Sequence, residues 1–236
     1  MKQLFVRLVA CVMLFAGFAG KANAQNVQLL YDTERECITT TLEMFKPDAF
    51  GSTFFFVDMD YAEKMEGAYF EIARELCFWK ESKVNWLSVH VEFNGGMNNI
   101  AGSFNNAWLG GLTYSGHSAD FSKTWSLSAM YKLIPGTVDG VGKKQEHNFQ
   151  ITGVWGISFA KGWCTFSGFA DFWREVRSWQ DTDFIFLTEP QFWVNLNKIE
   201  GMKDVNLSLG GEVEVSTNFV NKGWYVRPAI GAKWTF

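Results

Sequence analysis

Beyond residue 24 the chain lacks any unbroken run of the 18 or so apolar residues that a membrane-spanning helix needs, which excludes helical spanning. Basic residues are in deficit. Removing Lys2, Arg7 and Lys21 from the 21 basic residues leaves 18 against 25 acidic ones, a net charge of about −7 in place of −4. A surface so poor in positive charge excludes nucleic acid as a partner. Cysteine is scarce too, and of the four only Cys37, Cys77 and Cys164 lie beyond residue 24. Three thiols on an oxidising export route allow at most one bridge, with Cys37 and Cys77 the candidate pair. Their spacing matches no zinc framework, and no metal or other cofactor is implied. With only His90, His117 and His147 as histidines, acid–base and nucleophilic chemistry have few starting points.

What is present begins with an export segment. Lys2 and Arg7 precede an apolar stretch from Leu8 to Phe18, and Ala22-Asn23-Ala24 offers a small-residue cleavage site. Residues 1–24 therefore read as a signal peptide and residues 25–236 as one domain. Aromatic residues reach 17% of the chain. A membrane protein without spanning helices can satisfy its backbone in lipid only by closing a sheet into a barrel.

Period-two alternation supports that architecture. From Trp224, the positions Val226, Pro228, Ile230, Ala232, Trp234 and Phe236 are apolar, with Arg227, Lys233 and Thr235 between them. Val205 to Thr217 and His147 to Phe159 repeat the split. Counting such segments predicts about twelve strands, with ten as the alternative because the first segment is short: 27–32, 37–46, 51–60, 67–78, 85–94, 105–115, 123–134, 147–159, 163–174, 183–196, 204–217 and 224–236. The expected fold is an all-β, closed antiparallel transmembrane barrel of the bacterial outer membrane, with both termini on the periplasmic side. Connection lengths agree in phase: the tightest, Ala160-Lys161-Gly162, falls inside and the longest, Pro135 to Glu146, outside. The terminal Phe236, in the lipid-facing register, resembles the signal by which the outer-membrane assembly machinery recognises its clients.

With the lipid face fixed, the inward positions are strongly acidic: Glu43, Asp58, Asp60, Glu71, Glu75, Glu92, Asp171, Glu189 and Glu212. Few bases oppose them, chiefly His90, Lys132, Arg227 and Lys233. Such a lumen disfavours anions and admits neutral or cationic polar solutes. Phe54, Phe56, Tyr69, Trp86, Phe169, Trp173 and Trp193 also turn inward in this register. Each aromatic ring stacked on a planar base contributes about 1–3 kcal/mol, and carboxylates accept hydrogen bonds from sugar hydroxyls.

Three consecutive segments carry a family resemblance: Thr41-Leu42-Glu43-Met44-Phe45, then Gly51 through Asp60 with its Phe54-Phe55-Phe56-Val57-Asp58 core, then Tyr69-Phe70-Glu71-Ile72-Ala73-Arg74. Their order resembles the opening of the Tsx-like nucleoside-specific outer-membrane channels, in particular a Bacteroidota branch of that superfamily. The resemblance implies a narrow twelve-stranded barrel that passes nucleosides by diffusion and places Glu43, Phe54, Phe56, Asp58 and Glu71 in contact with solute. The sequence departs from that family at Ala73-Arg74-Glu75, where the family continues through Glu-Pro-Arg.

Two other classes compete with a channel. A barrel enzyme acting on membrane lipids would need a Ser and a His on the outer wall, and the sole adjacent pair, His117-Ser118, falls in a predicted periplasmic connection. A structural or receptor barrel would need longer external loops than these.

Overall fold

The computed structural model describes residues 25–99, 102–103, 106–177 and 180–236. The predicted signal peptide lies outside them. The strands in chain order are β1 (Gln25–Asp32), β2 (Cys37–Asp48), β3 (Gly51–Tyr61), β4 (Met65–Leu76), β5 (Leu87–Asn98), β6 (Gly102–Ser103), β7 (Ala107–His117), β8 (Lys123–Leu133), β9 (His147–Phe159), β10 (Cys164–Arg174), β11 (Phe184–Thr188), β12 (Gln191–Asn195), β13 (Leu207–Thr217) and β14 (Trp224–Thr235).

Neighbours pair antiparallel, and β14 returns to pair with β1 from Asn26 opposite Thr235 to Asp32 opposite Ala229. That pairing closes the sheet and leaves no edge of unpaired N–H and C=O groups. The two-residue β6 is an annex on β5. β11 and β12 form one span, interrupted at Glu189-Pro190, so the wall has twelve spans. Pro190 has no N–H to give to a ladder. Because three residues separate the pairs on both sides of the break, the register survives and Glu189 keeps the inward phase of Leu187 and Gln191. Opposite the break, Gly168 at φ 153° approaches it so closely that a Cβ there would meet the Glu189 carbonyl oxygen at 2.5 Å. Glycine is needed at that point.

Alternation sorts the side chains as the sequence predicts. On β5, Ser88, His90, Glu92 and Asn94 are buried while Val89 and Val91 are exposed; on β9, Asn148 and Gln150 are buried while Phe149 and Ile151 are exposed. Buried polar and exposed apolar is the inverse of a water-soluble fold and fits a wall with hydrocarbon outside. Outward aromatics gather towards the two rims. Phe172 stacks on Phe184 at 5.7 Å and Phe93 meets Trp108 at 4.5 Å towards one end, and Trp86 meets Tyr114 at 5.5 Å at the other.

An even number of spans puts Gln25 and Phe236 at the same end, called here the terminal end. There Cys77 follows β4, whereas Cys37 opens β2 at the opposite end, so the anticipated bridge cannot form, and Cys37, Cys77 and Cys164 are all free thiols. The connection 134–146 lies at the opposite end as expected, but the terminal end also has two long ones, 77–86 and 196–206.

Candidate functional site

The candidate site is the lumen, built by alternate residues of all twelve spans. Cross-strand register brings the resemblance residues together. Glu43 on β2 faces Phe56 on β3, which faces Glu71 on β4, and Asp58 faces Tyr69. Their rings form a run, with Phe54 6.0 Å from Phe56 and Phe56 5.9 Å from Tyr69. The Tyr69 hydroxyl donates to Glu71 at 2.5 Å, and Thr41 and Thr39 donate to Asp58 and Asp60 at 2.5 and 2.6 Å. Asn26 donates to Glu43 at 2.8 Å.

Across the lumen, Thr152 donates to Asp171 at 2.5 Å and Gln191 to Glu212 at 3.0 Å. Asp58, Glu71, Glu92, Asp171, Glu189 and Glu212 interact electrostatically across the interior, and together they form an acidic belt. Glu189 is the one member whose carboxylate accepts no hydrogen bond among the described residues. It keeps its place in the belt because the register is unchanged across the Pro190 break.

The inward bases are each engaged. His90 lies between Glu75, 2.6 Å from Nδ1, and Glu92, 3.0 Å from Nε2. Lys132 donates to Gln150 at 2.7 Å and sits 4.7 Å above the Trp173 ring. Lys233 lies 4.5 Å above Trp193, and Arg227 donates to Glu214 at 3.1 Å. His90 and Arg227 are thus held against carboxylates, whereas Lys132 and Lys233 rest on a neutral amide oxygen and on indole rings.

Trp86 departs from the expected set. It precedes β5, is 43% exposed and packs on Tyr114, whose side chain lies on the outer face, so it belongs to the aromatic rim. The inward phase starts only at Ser88, because the chain turns at residues 83–86 and the apparent strand 85–94 is two residues too early at its start. Trp173 and Trp193 do point inward and are almost wholly covered, Trp193 at 0% exposure together with Ile185. Much of the lumen is filled by its own side chains: Trp173, Ile185 and Leu187 cluster towards the opposite end, where Phe219 from the connection 218–223 meets Trp173 edge-on at 5.8 Å.

Residues beyond the predicted set also shape the lumen. Glu214 was legible from its period-two position beside Glu212. Arg35 was not, because it lies in the turn 33–36, where alternation carries no signal. Burial opposes its charge, but the hydrogen bond to Asp32 at 2.6 Å and the nearby Asp60 hold its guanidinium above the usual arginine range. At the terminal end a cavity of about 370 Å³ is lined by residues from β9, β12, β13, β14 and their connections, among them Asn195, Asn197, Asn206 and Ser208.

The family described as a domain of unknown function, DUF5020, matches residues 24–236. The chain belongs to the DUF5020 family. No functionally curated protein shows significant sequence similarity to it. Among solved structures, the NanC porin superposes with a TM-score of 0.59 at 10% identity, covering 90% of this chain and 100% of that one. Pseudomonas aeruginosa OccK11 (OpdR) gives a TM-score of 0.43 at 9% identity, over 89% of this chain and 63% of that one. Acinetobacter baumannii outer membrane protein Omp33 gives 0.40 at 9% identity, over 90% and 97%. At this identity the likeness to NanC establishes the fold, a closed twelve-span barrel of the outer-membrane type.

Proposed function

We propose that this DUF5020 chain is exported on residues 1–24, inserted into the outer membrane by the assembly machinery through its aromatic terminus, and conducts small neutral or cationic polar solutes by passive diffusion. The observation that carries the reading is the acidic belt of Asp58, Glu71, Glu92, Asp171, Glu189 and Glu212, with two of the four inward bases, His90 and Arg227, held against carboxylates of the wall. A ring of carboxylates in a narrow, low-dielectric passage raises the local concentration of cations and opposes anions.

Nucleosides are the solute class that suits the lining. The run Phe54, Phe56, Tyr69 offers π-faces to a planar base, while Glu43 and Glu71 stand within one strand spacing to accept from ribose hydroxyls. The resemblance of residues 41–74 to the Tsx-like channels points the same way.

The deciding experiment is the reversal potential of single channels in a potassium chloride gradient. A shift in the cation-selective direction, reduced by Glu71→Gln and Glu189→Gln, is expected; chloride selectivity defeats the reading.

A second reading, a structural barrel with a sealed interior, is favoured by the complete coverage of Trp193 and Ile185. Liposome swelling separates the two: a sealed barrel admits neither ribose nor adenosine, whereas the channel admits at least one.

A further inference from the structure

On the outer wall, cross-strand register lines up the outward residues of β2, β3 and β4 in rows. Leu42, Val57 and Phe70 form one row, and Met44, Phe55 and Ile72 form the next towards the terminal end. The row after that is Lys46, Thr53 and Arg74. Apolar side chains give way to cations within a single two-residue step, about 7 Å along a strand. The boundary between hydrocarbon and headgroups therefore falls between the last two rows.

Asp48, two residues beyond Lys46, is the one acidic side chain on the outward face of these three strands at this end. Arg74 holds it through both Nη atoms, at 2.5 and 2.9 Å, and one Nη also donates to Thr53 at 3.0 Å. Lys80, from the connection 77–86, donates to the Asp48 carbonyl and lies 3.5 Å from that of Gly51. Three cations against one carboxylate leave a formal charge of +2 in a chain that is acidic as a whole. Glu81 and Lys83, further along the connection, cancel. The Nε of Arg74 and the ammonium of Lys46 have no acceptor among the described residues. Elsewhere among the described residues only Lys123 on β8 brings an outward cation to the terminal end of a strand, with β5 and β7 in between. Phe50 and Phe78, 58% and 68% exposed with ring centroids 5.9 Å apart, adjoin the patch in the chain. Exposed aromatic rings at a barrel rim sit at headgroup level.

We propose that this patch is a docking site for an anionic phospholipid of the periplasmic leaflet. The phosphodiester lies against Lys46, Arg74 and Lys80, and the acyl chains run along Met44, Phe55 and Ile72. Charge decides the class: a zwitterionic headgroup brings its own ammonium to a patch of formal charge +2, whereas a headgroup of net negative charge does not. The site is on the outer wall and stands whether or not the lumen conducts. It rests on the outer-membrane placement proposed above, with the terminal end facing the periplasm.

The test is native mass spectrometry of the full mature protein released from detergent micelles, titrated separately with dioleoylphosphatidylglycerol, dioleoylphosphatidylcholine and lipid A. One tightly held, saturable copy of the phosphatidylglycerol is expected, with the phosphatidylcholine retained far less. Lys46→Gln and Lys80→Gln, made singly, should each weaken phosphatidylglycerol binding by about fivefold, the worth of one cation near a charged lipid surface, and Lys123→Gln should leave it unchanged. Retention of a heat-modifiable gel shift establishes that each variant is folded, and if one is not, the other carries the test. Equal retention of both phospholipids, undiminished binding in the folded Lys46 and Lys80 variants, or an equal loss in the Lys123 variant overturns the proposal. Preference for lipid A overturns it as well, by placing the terminal end in the outer leaflet. Failure of the channel reading shows elsewhere: a barrel that retains phosphatidylglycerol yet leaves liposomes impermeable keeps the site and loses the channel.

Discussion

His90 and Glu75 face each other across the β5–β4 ladder inside the barrel, with the imidazole Nδ1 2.6 Å from the carboxylate. The same ring reaches Glu92 through Nε2, and Thr113 and Ser88 also donate to Glu75. One histidine thus holds two carboxylates of an acidic interior in fixed positions. His90→Leu leaves both without their cationic partner and should lower stability by about 2–3 kcal/mol, measured by urea unfolding in lipid vesicles. Adding Glu75→Leu should restore part of that loss, because an unpaired buried charge is costlier than an apolar replacement of the pair.

Phe56 and Trp86 looked equivalent in the sequence, yet one lines the lumen and the other the rim. Under the channel reading, Phe56→Ala should weaken saturable nucleoside block by about tenfold, and Trp86→Ala should leave it unchanged. Block that is equally sensitive to both changes would mean the inner and outer faces are assigned wrongly near β5.

Gly168 is pressed against the Glu189–Pro190 break from β10. Gly168→Val places methyl groups where the Glu189 carbonyl and the Trp155 ring already lie, at an expected cost of about 1–3 kcal/mol. The measurement is the midpoint of heat modification on gels, and a midpoint equal to that of the parent protein would show that the break relaxes freely.

In the connection 134–146, the N–H of Lys143, and those of Val141 and the Gln145 side chain, hold the Asp139 carboxyl below its usual range, as the Gly136 N–H does for Glu146. Lowered carboxyl values mean that the ordering is fully present above the ordinary carboxylate range, at pH above about 5, and is lost as pH falls through the lowered values. Hydrogen exchange at Gly136, Val141 and Lys143, corrected for intrinsic rates, should be flat from pH 5 to 8 and should rise below about pH 4. A rise beginning near neutrality would assign the ordering to another group.

Free Cys37, Cys77 and Cys164 predict three maleimide adducts on the mature chain denatured without reductant. One adduct would mean that two of the three thiols are bridged in the isolated protein.

The sequence by itself determined the twelve spans, the inner and outer faces, and hence the acidic, aromatic interior. Each of these follows from a side-chain period of two, which any half-wetted strand must display. Tertiary structure alone decided what no period encodes. The turn before Ser88 turned Trp86 onto the rim. Gly168 and Pro190 together set the break beside Glu189 while preserving its phase. Strand order separated Cys37 from Cys77, and the pairing of neighbouring spans brought Ser158 and Thr235 to the cavity lined by the connection 196–206. Turn geometry and cross-barrel distance depend on which strands become neighbours, and that is fixed only when the sheet closes.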